Sequence, residues 1–288
     1  MIETIYIARH GFRMNWISDT WKSETGLPRD PPLAAFGVTQ AQELAEYFLT
    51  LPEDQRPTAI FSSPYYRCLQ TSKPVAKALG VSIYVEHGIS EWYSPVTPKS
   101  GLHPRPGSAA SLRPYFEEID PAAWSSIWYP PRVGEDVAEV HTRAAGFLDA
   151  FIPEVERTRP GGRAHTRILL VSHAATVIAL ARALVGEPAL PLRVGCCSLT
   201  EVVRKRDVIP ILGGWEARLL ADGAHLKEGA SREWGFEDIL IADGKVCGVS
   251  ALRLCADGRQ VVTDPGVAGT EQEKDDIVGP QVSLTSNL

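Results

Sequence analysis

The stretch IARHGFRMNW, residues 7–16, sets an arginine, a histidine and a glycine directly behind the apolar run Ile5-Tyr6-Ile7-Ala8. An apolar run of this kind reads as a buried strand, and a strand that ends on a charged pair delivers that pair to the rim of a sheet. Two other places repeat the arrangement. Ser62-Ser63-Pro64-Tyr65-Tyr66-Arg67 follows the β-rich segment 58–62 and opens a helix, and Ser172-His173 follows the run Arg167-Ile168-Leu169-Leu170-Val171 and precedes another helix.

The segments between these points alternate in period. Thr39-Gln40-Ala41-Gln42 reads as a capping box that opens a helix with Ala41, Leu44, Ala45 and Phe48 on one face. A second helix from about Tyr65 to Leu79 carries Leu69, Ser72 and Ala76 at helical spacing, with Pro74 as its kink point, and 81–85 follows as a strand. Val137, Val140, Ala144, Leu148 and Phe151 trace an amphipathic face over 135–155, and a helix over 174–184 closes at Gly186. Later strands are expected at 198–204 and 215–220, with Asp222-Gly223 as a hairpin turn. Alternation of this kind predicts an α/β fold, a three-layer α/β/α arrangement around a mainly parallel central sheet.

Ligands of such sheets collect beyond the carboxyl ends of the strands. Arg9, His10, Arg67 and His173 therefore converge on one rim, where helix N-termini add backbone donors and a dipole that favours an anion. The expected ligand is a phosphate.

Composition narrows the setting. The chain of 288 residues is 44% hydrophobic and 22% charged, enough for one large core with at most an appendage. Its formal net charge of -6 argues against general binding to nucleic acid, so any basic patch must be local. Five cysteines without a CxxC pair indicate neither a disulfide framework nor a zinc site. No apolar run approaches the roughly 18 residues of a membrane span, and no basic segment with an apolar stretch behind it opens the chain. The expectation is a soluble protein of the cytoplasm, the nucleus or both, without membrane contact.

Residues 91–133 break the alternation. They are rich in proline and carry Trp92, Tyr93, Tyr115, Phe116, Trp124, Trp128 and Tyr129, which predicts a lid inserted into a main domain of residues 1–240. The lid aromatics read as a small core before a substrate wall, and His103, Arg105, Arg113 and Arg132 as solvated positions. Residues 241–288 are expected to form a C-terminal hairpin around Asp257-Gly258 and, beyond Asp264, a polar tail without order.

RHG, SSPYYR and VSHA at successive strand ends, together with PPLAAFGVTQAQ over 31–42, resemble the histidine phosphatase superfamily, which includes phosphoglycerate mutases and acid phosphatases. The resemblance spans roughly residues 3–205. Arg13 and Glu91-Trp92 are similar to the Sts-type protein tyrosine phosphatases. RHGFRMNW, CSLTEVVRK at 197–205 and REWGFED look closer to the fungal branch that holds the phosphatase-like subunit of transcription factor TFIIIC. The chain departs from the mutases in carrying SHA for their more usual SHG.

This resemblance implies a phosphoglycerate mutase-like fold and a metal-independent phosphatase without a cofactor. His10 becomes the nucleophile that carries a phosphohistidine, oriented by a hydrogen bond from its other ring nitrogen to a backbone carbonyl. Arg9 and Arg67 are the bidentate phosphate contacts, and His173 and Arg13 complete the pocket, with Asn15 as a further contact. Glu91 is the general acid, with Glu135 and Asp136 as rivals that could instead cap the next helix. The substrate is a phosphorylated small molecule or a phosphotyrosine protein, and the C-terminal segment could dock a protein partner. A scaffold subunit that keeps the fold is the main alternative, with a phosphomutase behind it because Phe12 stands where mutases carry an acidic residue.

Overall fold

The computed structural model describes residues 1–206, 208, 210–239, 241–242, 245–246 and 268–282. Its elements begin with β1 (Thr4–Arg9), α1 (Ala35–Thr50), β2 (Ala59–Ser62), α2 (Tyr66–Leu79) and β3 (Ile83–Val85). They continue with α3 (Ala109–Leu112), β4 (Trp128–Tyr129), α4 (Val137–Thr158), β5 (Arg167–Ser172), α5 (Ala174–Val185), β6 (Leu199–Arg204) and β7 (Trp215–Asp222). The central sheet has the order β3-β2-β5-β1-β6-β7. Pairing is parallel from β3 through β1, and β6 and β7 are antiparallel additions at the far edge. The mainly parallel α/β expectation therefore holds.

Strand alternation sorts the core into two layers. Ile5, Ile7, Phe61, Ile168 and Leu170 pack with Phe147, Leu148 and Phe151 of α4 and Ile178 and Leu180 of α5. Their neighbours Tyr6, Ala8, Ile60, Leu169 and Val171 pack on the other face with Leu44 and Phe48 of α1 and Leu69 and Val75 of α2. Each such Ile, Leu, Val or Phe side chain contributes roughly 1.5–3 kcal/mol on burial, so the sheet is held from both sides.

Helix α1 begins at Ala35, ahead of the expected capping box, and Thr39 lies inside it with its hydroxyl on the Ala35 carbonyl at 3.3 Å. Tertiary contact decides this start: Ala34 N donates to Phe12 O at 2.9 Å, and a Cβ on Gly37 would come within 2.2 Å of Phe12 O. The RHG loop and the first turn of α1 thus touch backbone to backbone. Helix α2 runs unbroken through Pro74, and Gly80 ends it in the left-handed region at φ 63°. Asp222-Gly223 is not the turn of a hairpin, because β7 pairs back onto β6 across residues 205–214. It is an Asx turn after β7, with Ala224 N donating to the Asp222 carboxylate at 2.9 Å.

Residues 91–133 pack chiefly against the β3 side of the sheet. Trp124 lies 5.0 Å from Phe61 and Phe116 lies 4.9 Å from Tyr66, ring to ring, so these aromatics are core. Glu86, fully buried after β3, ties the segment down by accepting from Gly88 N, Ser126 Oγ and Trp128 N on one oxygen and Trp124 Nε1 and Ile127 N on the other.

The described part of the polar tail is not free. Residues 268–282 run across the 91–133 segment: Leu102 N donates to Glu271 O at 2.8 Å, and β10 (Gly279–Pro280) pairs with β4. Charge explains the docking. Asp275 ion-pairs with Arg105 at 2.9 Å and accepts from Arg132 N at 2.7 Å, while Glu273 faces Arg132 at 3.4 Å. Arg105 and Arg132 are therefore strap anchors and not solvated positions, and His103 is buried. The short hairpin of β8 (Ile241–Ala242) and β9 (Lys245–Val246) precedes the strap, whereas the hairpin expected at Asp257-Gly258 lies outside the described residues.

Because the Glu86 carboxylate faces donors alone, Glu86→Gln turns an amide N–H₂ against some of them. The expected loss is about 2–4 kcal/mol of unfolding free energy, measured by chemical denaturation. A change below about 0.5 kcal/mol, the range of ordinary surface substitutions, would show that Glu86 is not the anchor.

Candidate active site

Parallel order brings the carboxyl ends of β1, β2 and β5 to one rim, where His10 N donates to Ser172 O at 2.9 Å and Ser63 N to Val171 O at 2.9 Å. A cleft of about 540 Å³ opens there. Arg9, His10, Arg13, Asn15 and Glu91 line it directly, and Arg67 and His173 sit behind Glu91, buried and in contact with it. The rim so unites every residue the motifs singled out except Glu135 and Asp136. Glu135 is spent on a buried ion pair with Arg143 at 2.7 Å, and Asp136 caps α4 in a capping box with Glu139.

His10 is 1% exposed, and its Nδ1 sits 2.8 Å from Gly11 O. A carbonyl can only accept, so Nδ1 carries the proton and Nε2 keeps its lone pair. Burial pushes the His10 pKa well below the ordinary histidine value, and the neighbouring Arg67, His173, Arg9 and Arg13 push the same way. The ring is a neutral imidazole. Arg9 is fixed by Nη1, which donates to Val194 O at 2.7 Å and to Arg232 O at 2.5 Å. Its Nε, like that of Arg13, is buried with no hydrogen-bond partner among the described residues. Burial, then Arg67 and Arg9, draw Arg13 down to about 10, which leaves it charged at neutral pH.

Arg67 is the best-held group. One arm meets Asp30 at 3.1 Å, and the other meets Glu91 at 2.9 Å and lies 3.1 Å from His173 Nδ1. Burial works against its charge, but Glu91 and Asp30 outweigh burial and raise its pKa. Glu91 is also 3.2 Å from His173 Nδ1. Burial would raise the Glu91 carboxyl, yet His173, Arg67 and Arg13 hold it well below the usual carboxylate range, so it is ionised at rest. Burial draws His173 down to about 4 against the pull of Glu91, and Ser63 Oγ approaches its Nε2 at 2.8 Å. His173 occupies the N-cap of α5, but its side chain makes no cap there.

Six residues of the site were not assigned from the sequence: Asp30, Ser63, Trp16, Trp21, Arg232 and Trp234. Asp30 is 1% exposed, accepts from Tyr66 N at the start of α2 and pins Arg67; burial pushes its pKa up to about 6 against Arg67's pull. No local signal in RDPP marks this role. Nothing in SSPYYR itself marks Ser63 as the partner of His173. Trp16, Trp21, Arg232 and Trp234 line the cleft with Trp92 and Tyr93, brought from loops far apart in sequence.

Two other chemistries fit less well. Cys68 Sγ lies 3.5 Å from His173 Nε2, but burial raises its thiol far from the thiolate form that nucleophilic attack needs. His10, Glu91 and His173 present ligand atoms within 4.8 Å of one another. A metal ion there would stand among Arg9, Arg13 and Arg67, and Glu91 is already held by Arg67. The donor set suits an anion.

The chain matches the histidine phosphatase superfamily (branch 1) over residues 5–213, and it belongs to that superfamily. It is 40% identical over 218 residues to the transcription factor tau 55 kDa subunit of Saccharomyces cerevisiae, across 71% of this chain and 48% of that protein. It is 31% identical over 192 residues to the ubiquitin-associated and SH3 domain-containing protein A of Mus musculus, across 64% of this chain and 28% of that protein. The chain thus spans about half or less of these relatives' length. Among solved structures it is similar to the ecdysone phosphate phosphatase of Bombix mori, with a TM-score of 0.57 at 19% identity over 76% of this chain and 93% of that one. At that identity the likeness speaks to the fold.

The histidine environment has a measurable consequence. An unperturbed histidine is half charged near pH 6.5, while burial keeps His10 and His173 neutral there, with His173 charging only near pH 4. Ring NMR shifts, assigned with His10→Ala and His173→Ala, should show both rings neutral at pH 6.5. A midpoint for His10 at or above the ordinary value would contradict the buried neutral ring.

Proposed function

We propose that the chain is a phosphatase that hydrolyses phosphate esters through a phosphohistidine on His10, without a metal ion. The observation that carries this reading is the neutral His10 ring, with Nδ1 tied to Gly11 O and Nε2 left as a nucleophile beside Arg9, Arg13 and Arg67. Arg9 and Arg13 each keep a buried Nε without a partner among the described residues, the state expected of groups awaiting an oxyanion. In the first step Nε2 bonds to phosphorus, the ester P–O bond breaks, and Glu91, which takes up a proton from solvent as the phosphate dianion docks, gives that proton to the departing oxygen. Water then attacks the phosphohistidine and passes a proton to Glu91, the P–N bond breaks, and phosphate leaves. The guanidinium groups stabilise charge on the equatorial oxygens in both steps, which is the work a metal would otherwise do.

Asn15 is exposed on the cleft wall, and its contact to phosphate belongs to this proposal. A second reading is favoured by the 40% identity to a transcription factor subunit: the fold also serves as a component of a protein assembly, which would bring it to the nucleus. No helix among the described residues is long and apolar enough to cross a membrane.

Replacement of His10 by Ala should abolish hydrolysis of para-nitrophenyl phosphate while the circular dichroism spectrum and melting curve stay those of the native protein. EDTA should leave native turnover intact. Retained turnover in His10→Ala sinks the nucleophile, loss with EDTA sinks metal independence, and a native protein without turnover gives the lead to the assembly reading.

Glu91→Gln separates a proton donor from a positioning group. A general acid contributes about 10²- to 10⁴-fold, and a good leaving group needs little of it. Alkyl phosphates should therefore slow much more than para-nitrophenyl phosphate, by kcat/KM. An equal fall on both would make Glu91 a positioning residue.

A further inference from the structure

Beyond the phosphate-binding floor, the cleft holds a cation that the reaction above does not use. The guanidinium of Arg232 lies 5.3 Å from the Trp16 ring centre, on the same indole that Arg13 covers at 4.3 Å and Arg9 at 5.7 Å. Its backbone is fixed, because Arg232 O accepts from Arg9 Nη1 and the residue sits in the left-handed region at φ 54°. The side chain is exposed on the cleft wall, and its guanidinium forms no ion pair or hydrogen bond with the described residues. The cleft's carboxylates are Glu91, which Arg67 and His173 hold, and the exposed Glu233.

Charge counting sets Arg232 apart. When Glu91 carries the proton it must donate, Arg9, Arg13 and Arg67 less the carboxylate of Asp30 already match a phosphate dianion. Arg232 is then surplus, at the mouth of a cleft whose volume of about 540 Å³ suits a small organic ligand far larger than phosphate. A guanidinium over aromatic faces in a partly dry cleft is a fork for a carboxylate or a second phosphate.

We propose that Arg232 is a specificity residue that selects small phosphate esters bearing a second anionic group on the leaving side. This rests on the phosphatase reading for the word substrate, but not for binding. The test is calorimetric affinity for phenyl phosphate and para-carboxyphenyl phosphate, measured on full-length His10→Ala and on His10→Ala/Arg232→Asn. Asparagine tolerates the left-handed backbone, so the loop that holds Arg9 is kept. The carboxylated ester should bind His10→Ala about 5-fold tighter, and the double variant should lose that preference.

Equal affinities in His10→Ala overturn the proposal, as does binding of neither ester. A similar weakening of both esters by Arg232→Asn also overturns it, since Arg232 would then be a phosphate contact. A larger gain for a phosphotyrosine peptide with acidic neighbours, over one with neutral neighbours, than for the carboxylated ester would overturn the small-molecule part. If the preference appears and vanishes as expected but the native protein hydrolyses neither ester, the selectivity stands and the phosphatase reading falls.

Discussion

A guanidinium that is 1% exposed organises this molecule. Arg67 stands between Asp30, also 1% exposed, and Glu91, 18% exposed, with His173 against the same arm. Taking such charges out of water costs several kcal/mol per ion and is offset only by well-placed partners. Those partners come from three remote places: the loop ahead of α1, the segment after β3 and the end of β5. The ion network is complete only when all three have docked, so forming the site and closing the fold are one event. Removing Arg67 would leave Asp30 and Glu91 facing each other's charge in a dry pocket, a larger disturbance than loss of one phosphate contact.

Backbone contact supplies the second constraint. Side chains would not fit where the RHG loop crosses α1: a Cβ on Gly11 would approach Gly37 O to 2.6 Å, and one on Gly37 would meet Phe12 O at 2.2 Å. Gly11 N then donates to Thr71 Oγ1 at 3.0 Å and Phe12 N to Gln40 Oε1 at 3.0 Å, which binds the loop to both helices of that layer. The nucleophile candidate therefore rides on a rigid crossing, and preorganisation of this kind keeps reacting groups in place without a cost at the moment of reaction.

Strands and the residues at their ends were legible in the sequence because both are local signals. Apolar runs name buried strands, and His10, Arg67 and His173 follow them within a few residues. What escaped is defined by chain-distant contact. The start of α1 was misplaced because Thr39 and Gln42 mimic a cap while Gly37 packing sets the true start. Asp30 and Ser63 act only through Arg67 and His173, which no spacing reveals. The strap 268–282 looked disordered by composition, since its acidic residues find order only against Arg105 and Arg132, more than a hundred residues away. Trp16, Trp21 and Arg232 share a cleft for the same reason.

The resting protonation of Glu91 bears on its proposed role. An acid must hold a proton, yet Arg67, His173 and Arg13 keep this carboxyl ionised in the empty site. Arg13, one of the groups that depress it, lines the cleft where a phosphate would sit. A dianion in the cleft would bring negative charge beside Glu91 and compensate those cations, and both effects raise a carboxyl pKa. His173 Nδ1, at 3.2 Å, lies in reach to share a proton with it, and Ser63 supports the far side of that ring. Substrate binding and proton uptake would then be linked, with the acid armed only when there is an ester to cleave. A carboxylate without this neighbourhood, such as exposed Asp136 at the start of α4, has no means of such coupling.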